Sequence, residues 1–217
     1  MKRDDLTIIY YTSNREKPEF EQMICDKILF TIDHLPIISV SQKPMKFGYN
    51  ICVGDVGLSD YNIYRQMQIG CLAAKTKYVC TTEADCMYPP YGYFDFQPPD
   101  GWTAGHYTNV YILWKGSHIF KQKAFSLCAL FSNREFLLSR FPRALDDQMW
   151  RPDFKPKHPL FHKWKEWTPF KNEIPVVNIK TGDGMRMISG VGTEGPAQEE
   201  LPYWGKATNM EKAIWKI

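Results

Sequence analysis

Apolar positions in the first part of the chain follow two different periods. Unbroken apolar runs at Leu6–Tyr11, Pro36–Ser41 and Tyr78–Thr82 predict buried strands. Between these runs, apolar side chains three or four residues apart predict two helices, which begin near Pro18 and Ser59. The resulting β-α-β-α-β order predicts an α/β fold with a mainly parallel central sheet flanked by helices.

The pattern changes after Pro90, where aromatic residues and shorter apolar runs become frequent. We expect a helix over Arg134–Phe141, irregular structure over residues 151–175 and a flap or tail from Gly182 onward. Further short strands are predicted at Trp102–His106, Asn109–Trp114, Phe125–Phe131 and Val176–Ile179. A chain of 217 residues is expected to form one domain with a substantial core.

The composition is that of an ordinary soluble protein, with 44% hydrophobic and 24% charged residues. A formal net charge of +3 neither requires nucleic acid nor excludes a phosphate-bearing ligand. The six cysteines form no CxxC pair and predict reduced, buried thiols in a cytoplasmic protein. The N-terminal apolar run is too short for a signal peptide, and no stretch approaches the roughly 20 apolar residues of a membrane span.

Two carboxylates one residue apart, Glu83 and Asp85, follow the strand predicted at Tyr78–Thr82 and precede a Pro-rich turn. Because residues i and i+2 of a strand point to the same side, both acids are expected at its C-terminal end, where open α/β sheets bind ligands. Two acids aimed at one spot repel each other unless a cation lies there. Since Mg²⁺ and Mn²⁺ prefer carboxylate and phosphate oxygens, we predict a divalent ion carrying a diphosphate, with a solvated turn as the alternative.

Four segments together resemble the GT-A-type nucleotide-sugar glycosyltransferases, and more narrowly the compact bacterial and bacteriophage proteins of the family-2-like group. These segments are TSNR at residues 12–15, the SVSQKP strand, the YRQ helix and the E-A-D triplet before a Tyr-Pro turn. The resemblance covers residues 6–95 well and residues 100–150 loosely. It implies a metal-dependent enzyme that moves a sugar from a nucleotide diphosphate sugar, a UDP-sugar above all, to an acceptor hydroxyl.

The resemblance also implies an organisation for the domain over residues 1–217, which would be GT-A-like (Rossmann-like). Residues 1–90 would form a nucleotide-binding half and residues 91–180 an acceptor half. Residues 181–217 would form a C-terminal flap or tail.

The same resemblance assigns a polar loop to the nucleotide, formed by Thr12, Ser13, Asn14 and Arg15. Its backbone N–H groups, hydroxyls and guanidinium suit uracil, ribose and phosphate. Arg65 and Gln66 would lie on a helix that flanks the donor. An ordinary loop and a solvated helix face are the alternatives.

The metal ligands follow from the triplet, which in this family is usually Asp-x-Asp. Asp85 matches the acid that ligates the metal, and Glu83 replaces the first Asp, where it would contact ribose or a metal-bound water. A third ligand, commonly His, comes from the C-terminal region in many members; here Asp183 is the substitute, or water completes the coordination. Lys180 and Arg186 of the same stretch would meet the diphosphate.

Inverting members of the family use an acid near Asp146 and Asp147 to take the proton from the acceptor hydroxyl. We predict one of these two as the general base, with Asp147 slightly preferred, and a capping or solvated pair as the alternative. His106 would touch the donor or acceptor, or be structural. His158 and His162 are weak candidates for metal ligands, because Pro159 interrupts their helical spacing.

The acceptor would be a glycan, a small molecule or a modified base in DNA. Short phage-like transferases of this kind can glycosylate such a base, and residues 150–171 interleave lysines with aromatics, as phosphate contact and base stacking require. A phage enzyme would act in the host cytoplasm. A nucleotidyltransferase is disfavoured because TSNREKPEF contains no Gly, and a non-catalytic relative that binds nucleotide sugars is a further alternative.

Overall fold

The structure is a computed structural model that describes residues 4–32, 34–58, 60–124, 126–141, 167–183 and 192–215. Its helices are α1 (Pro18–Thr31), α2 (Asp60–Ala73), α3 (Arg134–Arg140) and α4 (Ala207–Trp215). Its strands are β1 (Leu6–Thr12), β2 (Ile37–Ser41), β3 (Tyr49–Cys52), β4 (Tyr78–Glu83), β5 (Cys86–Met87), β6 (Ala104–Tyr107), β7 (Val110–Trp114), β8 (Phe120–Lys123), β9 (Leu130–Asn133), β10 (Thr168–Phe170), β11 (Val176–Lys180), β12 (Thr193–Gln198), β13 (Glu200–Leu201) and β14 (Gly205–Lys206).

Seven strands form the larger sheet, in the order β10-β6-β9-β4-β1-β2-β3. The neighbours from β4 to β3 are all parallel, whereas β9 runs antiparallel to both β4 and β6. Every residue of β1 is buried, as expected for a parallel strand covered on both faces. The predicted α/β fold with a mainly parallel central sheet is confirmed.

Side chains of β1 alternate between two cores on opposite faces of this sheet. Ile8 and Tyr10 belong to a core that includes Ile24 of α1. Ile9 belongs to a second core that includes Met67 of α2. The apolar faces that the sequence predicts for the two helices therefore cover the sheet from both sides.

A second sheet of five strands, in the order β12-β8-β7-β11-β5, adjoins the end of β4. Its edge strand β5 begins at Cys86, directly after Asp85, and pairs antiparallel with β11. The Glu83–Asp85 corner therefore lies where the two sheets meet, an arrangement that the sequence pattern did not predict.

Local structure departs from the sequence prediction in several places. Strand β10 lies within residues 151–175, which were expected to be irregular. Strand β3 lies between the second predicted strand and the second predicted helix, and it lacks an apolar run because it is partly exposed at the sheet edge. The strand predicted at Phe125–Phe131 begins only at Leu130, and the mixed polar strand β8 precedes it. The C-terminal part, expected to be a flap or a tail, contains β12 to β14 and α4, which buries Met210 and Glu211.

All six cysteines lie in the described part of the chain and form no disulfide; five are buried, and Cys52 is exposed. Mostly buried thiols that form no disulfide agree with the sequence prediction. Among the described residues, no helix combines the length and apolar character needed to cross a membrane.

Close packing of α2 on β1 makes Gly70 sensitive to added volume. A Cβ at Gly70 would lie 2.4 Å from Cγ2 of Ile9. Alanine favours a helix over glycine by about 1 kcal/mol, but overpacking a core costs about 1–3 kcal/mol. We expect Gly70→Ala to lower the free energy of unfolding by about 1–2 kcal/mol in urea denaturation.

Gly192→Ala is the matched control, because among the described residues its Cβ would meet the Cβ of Ala124 alone, at an ordinary 3.5 Å. We expect this control to change stability by less than about 0.5 kcal/mol. A Gly70→Ala variant as stable as the unaltered chain would contradict the packing described for α2.

Candidate functional site

Asp85 lies buried in the turn between β4 and β5, with only 4% of its surface exposed. Its Oδ2 accepts a hydrogen bond of 2.8 Å from Nδ2 of Asn178 and lies 3.4 Å from Nζ of Lys180. Its backbone carbonyl accepts a hydrogen bond of 2.6 Å from the N–H of Ile179. Three consecutive residues of β11 therefore hold both the main chain and the carboxylate of Asp85.

Glu83 ends β4 beside β1, where Tyr11 is its register partner. The Tyr11 hydroxyl donates a hydrogen bond of 2.6 Å to Oε1 of Glu83. Burial and repulsion from Asp85 raise the pKa of Glu83, and the positive charges of Lys123 and Lys180 oppose that rise. The two acids are thus close enough to repel each other, as the sequence predicts, and a lysine lies near each of them.

The polar loop after β1 is shaped by Thr12 and Asn14. Asn14 has a left-handed φ of 50°, and its N–H donates a hydrogen bond of 2.9 Å to Oγ1 of the buried Thr12. Oδ1 of Asn14 accepts a hydrogen bond of 2.8 Å from the N–H of Lys43, in the loop after β2. The side chains of Thr12 and Asn14 form hydrogen bonds within the protein, whereas Ser13 is partly exposed and Arg15 is exposed.

Arg15 reaches towards the loop after β3, where its guanidinium lies 3.6 Å from Oδ1 of Asp55. Gln66 on α2 is buried, and its amide donates hydrogen bonds to the carbonyls of Thr12 and Val40 at 2.8 and 2.9 Å. Gln66 therefore ties the ends of β1 and β2 together rather than facing a ligand. Arg65, the other residue predicted on this helix, is half-buried.

Glu16 joins the same loop to the end of β11. Its Oε2 accepts a hydrogen bond of 2.7 Å from Oγ1 of Thr181, while its buried Oε1 has no hydrogen-bond partner in the part of the chain that the structure describes. Burial, together with repulsion from Asp85, Asp183 and Glu21, raises the pKa of Glu16 to about 7, although the Thr181 hydroxyl opposes this rise. Negative charge in this corner is therefore incompletely offset.

The remaining predicted site residues lie in different surroundings. Asp183 lies 3.6 Å from Nζ of Lys17 through its Oδ2. His106 is half-buried within β6, and burial lowers its pKa, so the imidazole is neutral at neutral pH. The residues that fall outside the described part of the chain are Asp146, Asp147, His158, His162 and Arg186.

The donor atoms at this corner decide whether a divalent ion can bind there. Carboxylate oxygens of Asp85 and Glu83 are the ligands that Mg²⁺ and Mn²⁺ accept, commonly only one or two per ion beside substrate phosphates. The repulsion that raises the pKa of Glu16 also favours added positive charge. The donor set therefore fits such an ion at Asp85, although in the described residues Glu83, Asp85 and Asp183 do not form one compact three-ligand group.

Sequence reasoning missed Glu16, Asn178 and Lys123 as parts of this corner. Asn178 looks like any inward position of a short strand, and nothing in the sequence pairs β11 with the turn after β4. Lys123 lies on β8, a strand without an apolar run. Of these three residues, Glu16 could have been found from the sequence, because it directly follows the predicted loop.

No protein-family model matches the chain, and no curated protein matches it. Among solved structures, the chain is similar to the inositol-1-phosphate CTP transferase from T. maritima, with a TM-score of 0.55 and 9% identity over 85% of this chain and 92% of that one. This likeness shows the fold, a Rossmann-like arrangement of the GT-A type.

Two further matches are glycosyltransferases with lower scores. A Drosophila beta-1,4-galactosyltransferase 7 mutant, in complex with manganese, UDP-Gal and xylobiose, gives a TM-score of 0.42 and 11% identity over 85% of this chain and 71% of that one. Glucosyl-3-phosphoglycerate synthase from Mycobacterium tuberculosis, in complex with Mn²⁺, UDP and phosphoglyceric acid, gives 0.38 and 11% identity over 61% of this chain and 56% of that one.

The raised pKa of Glu16 predicts a pH-dependent cost in stability. A carboxyl with a pKa of 4.5 when unfolded and about 7 when folded destabilises the folded state increasingly as pH rises from 4.5 to 7. Glu16→Gln keeps an oxygen for Thr181 and removes the charge. We expect this variant to be more stable than the unaltered chain by about 1–2 kcal/mol at pH 8, and equally stable near pH 4.5, in urea denaturation with a chelator.

Glu19→Gln is the control, because Glu19 lies exposed on the first turn of α1. It should give the same small change at both pH values. A Glu16→Gln variant whose stability differs equally from the unaltered chain at pH 4.5 and pH 8 would contradict the raised pKa.

Proposed function

We propose that this chain transfers a sugar from a nucleotide diphosphate sugar, with UDP as the expected carrier, to an acceptor hydroxyl. The observation that carries the proposal is the pair formed by the buried Asp85 and the partly buried Lys180, 3.4 Å apart, at the carboxyl edge of the parallel strands. A carboxylate and an ammonium at this edge suit the two components of a bound nucleotide diphosphate, which are a divalent cation and phosphate oxygens. The loop at residues 12–15 leaves the same edge.

The proposal gives each charged group a separate task. Asp85 would hold Mn²⁺ or Mg²⁺, with Asp183 as the further predicted ligand, while Glu83 would contact ribose or a metal-bound water. Such an ion would supply electrostatic stabilisation of the departing diphosphate. With the ion on the Asp85 carboxylate, Lys180 would bind phosphate oxygens instead, since its ammonium and the ion compete for the same carboxylate oxygen.

The nucleotide contacts follow from which side chains remain exposed. Ser13 and Arg15 face the base, ribose or phosphate, whereas Thr12 and Asn14 give the loop its shape. Arg65 on α2 and Arg186, which lies outside the described residues, remain predicted donor contacts.

The reaction breaks the bond between the anomeric carbon and the diphosphate oxygen and forms a bond from that carbon to the acceptor oxygen. The acceptor proton passes to a general base, for which Asp147 is the first candidate and Asp146 the second. Direct displacement with such a base inverts the configuration at the anomeric carbon.

DNA as the acceptor is the alternative that the basic stretch at residues 150–171 suggests. Most of that stretch lies outside the described residues. Trp167 is described and is 7% exposed, with its ring against Phe136, so it is not available for base stacking. Lys171 is exposed and can contact phosphate. Retention on DNA that falls steeply with salt would favour this acceptor over a glycan or small molecule.

Thermal unfolding in the presence of nucleotides tests the donor site. A ligand at about 100 times its dissociation constant stabilises the native state by about 2.7 kcal/mol. We expect a nucleoside diphosphate to raise the unfolding midpoint further when Mn²⁺ is present. Asp85→Asn should lose the metal-dependent part of this rise, and Lys180→Met should reduce the rise with and without metal.

Asp100→Asn and Lys212→Met change the same charges at exposed positions and should keep the full response. The proposal fails if no nucleoside diphosphate raises the midpoint, or if Asp85→Asn responds to Mn²⁺ as the unaltered chain does. A response confined to nucleoside triphosphates, with release of pyrophosphate, would identify a nucleotidyltransferase instead.

A further inference from the structure

A group of soft metal ligands lies directly behind the Asp85 corner. A carboxylate oxygen of Glu83 and the Sγ atoms of Cys86 and Cys128 all lie within 4.8 Å of one another. Both cysteines are fully buried, and Glu83 is half-buried. We propose that Glu83, Cys86 and Cys128 form a binding site for a thiophilic divalent ion such as Zn²⁺, separate from the ion expected at Asp85.

The spacing of the three atoms suits a tetrahedral ion. With bonds of about 2.3 Å to sulfur and about 2.0 Å to oxygen, ligand atoms of a tetrahedral zinc site lie roughly 3.3–3.8 Å apart. Atoms already within 4.8 Å reach these separations by small side-chain movements. The fourth position falls to water.

One buried hydroxyl holds the two backbone segments that carry these ligands. Tyr88 donates its hydroxyl proton to the carbonyl of Cys128 at 2.7 Å and accepts a hydrogen bond of 2.9 Å from the N–H of Glu83. The end of β4 and the turn before β9 are therefore fixed relative to each other. Such preorganisation lowers the cost of gathering ligands around an ion.

Each candidate ligand also has a hydrogen-bond partner of its own, as metal ligands in proteins normally do. Tyr11 donates to Glu83 at 2.6 Å, and the amide of Asn178 donates to Sγ of Cys86 at 3.1 Å. Oγ of Ser126 lies 2.7 Å from Sγ of Cys128.

The other contacts of Ser126 fix the direction of that last hydrogen bond. Its oxygen accepts hydrogen bonds from Nζ of Lys123 at 3.0 Å and from the N–H of Cys128 at 3.3 Å. The Ser126 proton is therefore directed at the Cys128 sulfur, which acts as an acceptor. A metal-bound thiolate would accept a hydrogen bond from Ser126 in the same way.

Charge balance favours the same ion. Two thiolates and the Glu83 carboxylate carry three negative charges, which Zn²⁺ and the ammonium of the partly buried Lys123 cancel in number. Binding therefore releases the two thiol protons to solvent as the two metal–sulfur bonds form.

Cobalt absorption tests the proposal on the reduced, metal-free full chain. We expect Co²⁺ to produce a thiolate-to-metal charge-transfer band that saturates at one equivalent and disappears when Zn²⁺ is added. Cys86→Ser and Cys128→Ser should each weaken binding by about tenfold or more, and Tyr11→Phe by less while keeping the band. Cys52→Ser, at the exposed cysteine, should retain the band.

A second measurement needs no variant and covers the case in which a cysteine variant fails to fold. X-ray absorption of the zinc-loaded chain should show two sulfur neighbours at about 2.3 Å. Oxygen and nitrogen neighbours alone, a charge-transfer band that survives in both folded cysteine variants, or a band that Cys52→Ser removes would each overturn the site. So would failure of the reduced chain to bind while mild oxidation joins Cys86 to Cys128.

Discussion

The contact between Asp85 and β11 joins the two sheets of this protein. The main chain of Asp85 receives the N–H of Ile179, and its carboxylate receives Asn178 and Lys180. Breaking a buried pair by removing one partner costs about 3–5 kcal/mol, because the remaining charge is left without compensation. The position of the second sheet and the shape of the candidate site therefore depend on the same few atoms.

The arrangement of charges explains how four acidic groups tolerate close approach. Lys180 lies at Asp85, Lys123 lies near Glu83, and Lys17 pairs with Asp183. Among the described residues no lysine pairs with Glu16, whose pKa is raised by burial and repulsion. In the proposed function, a divalent ion would replace Lys180 at Asp85, and the freed ammonium would bind a phosphate.

Oxygen donors, which suit hard cations, and sulfur donors, which suit soft cations, lie on different sides of this corner. Oxygen donors of Asp85 face β11, whereas Glu83 lies with two sulfur atoms on the side of β9. Cys86 connects the two groups, since it follows Asp85 in the chain and begins β5. An ion bound to the sulfur side would stiffen the turn that presents Asp85.

Local patterns predicted the parts of this fold that depend on local burial. The unbroken run at Leu6–Tyr11 is a fully covered parallel strand, and the apolar spacing that predicted the first helix corresponds to the face of α1 that buries Ile24 and Ile28. Local patterns predicted only part of the candidate site. Glu83 and Asp85 follow a recognisable strand, but Asn178 and Lys180 meet Asp85 across more than ninety residues, as separations of 93 and 95 show. Such long-range pairings arise from sheet assembly, which hydrophobic periodicity does not encode.

The central claim is that a nucleotide diphosphate binds at the carboxyl edge of β1 and β4 through Asp85 and Lys180. A crystal structure of the chain with UDP and Mn²⁺, with data at the manganese absorption edge, tests it most directly. We predict an anomalous peak within coordination distance, about 2.1–2.3 Å, of an Asp85 carboxylate oxygen, with Lys180 turned to the diphosphate. A diphosphate bound elsewhere, with the Asp85–Lys180 pair unchanged, would contradict the account.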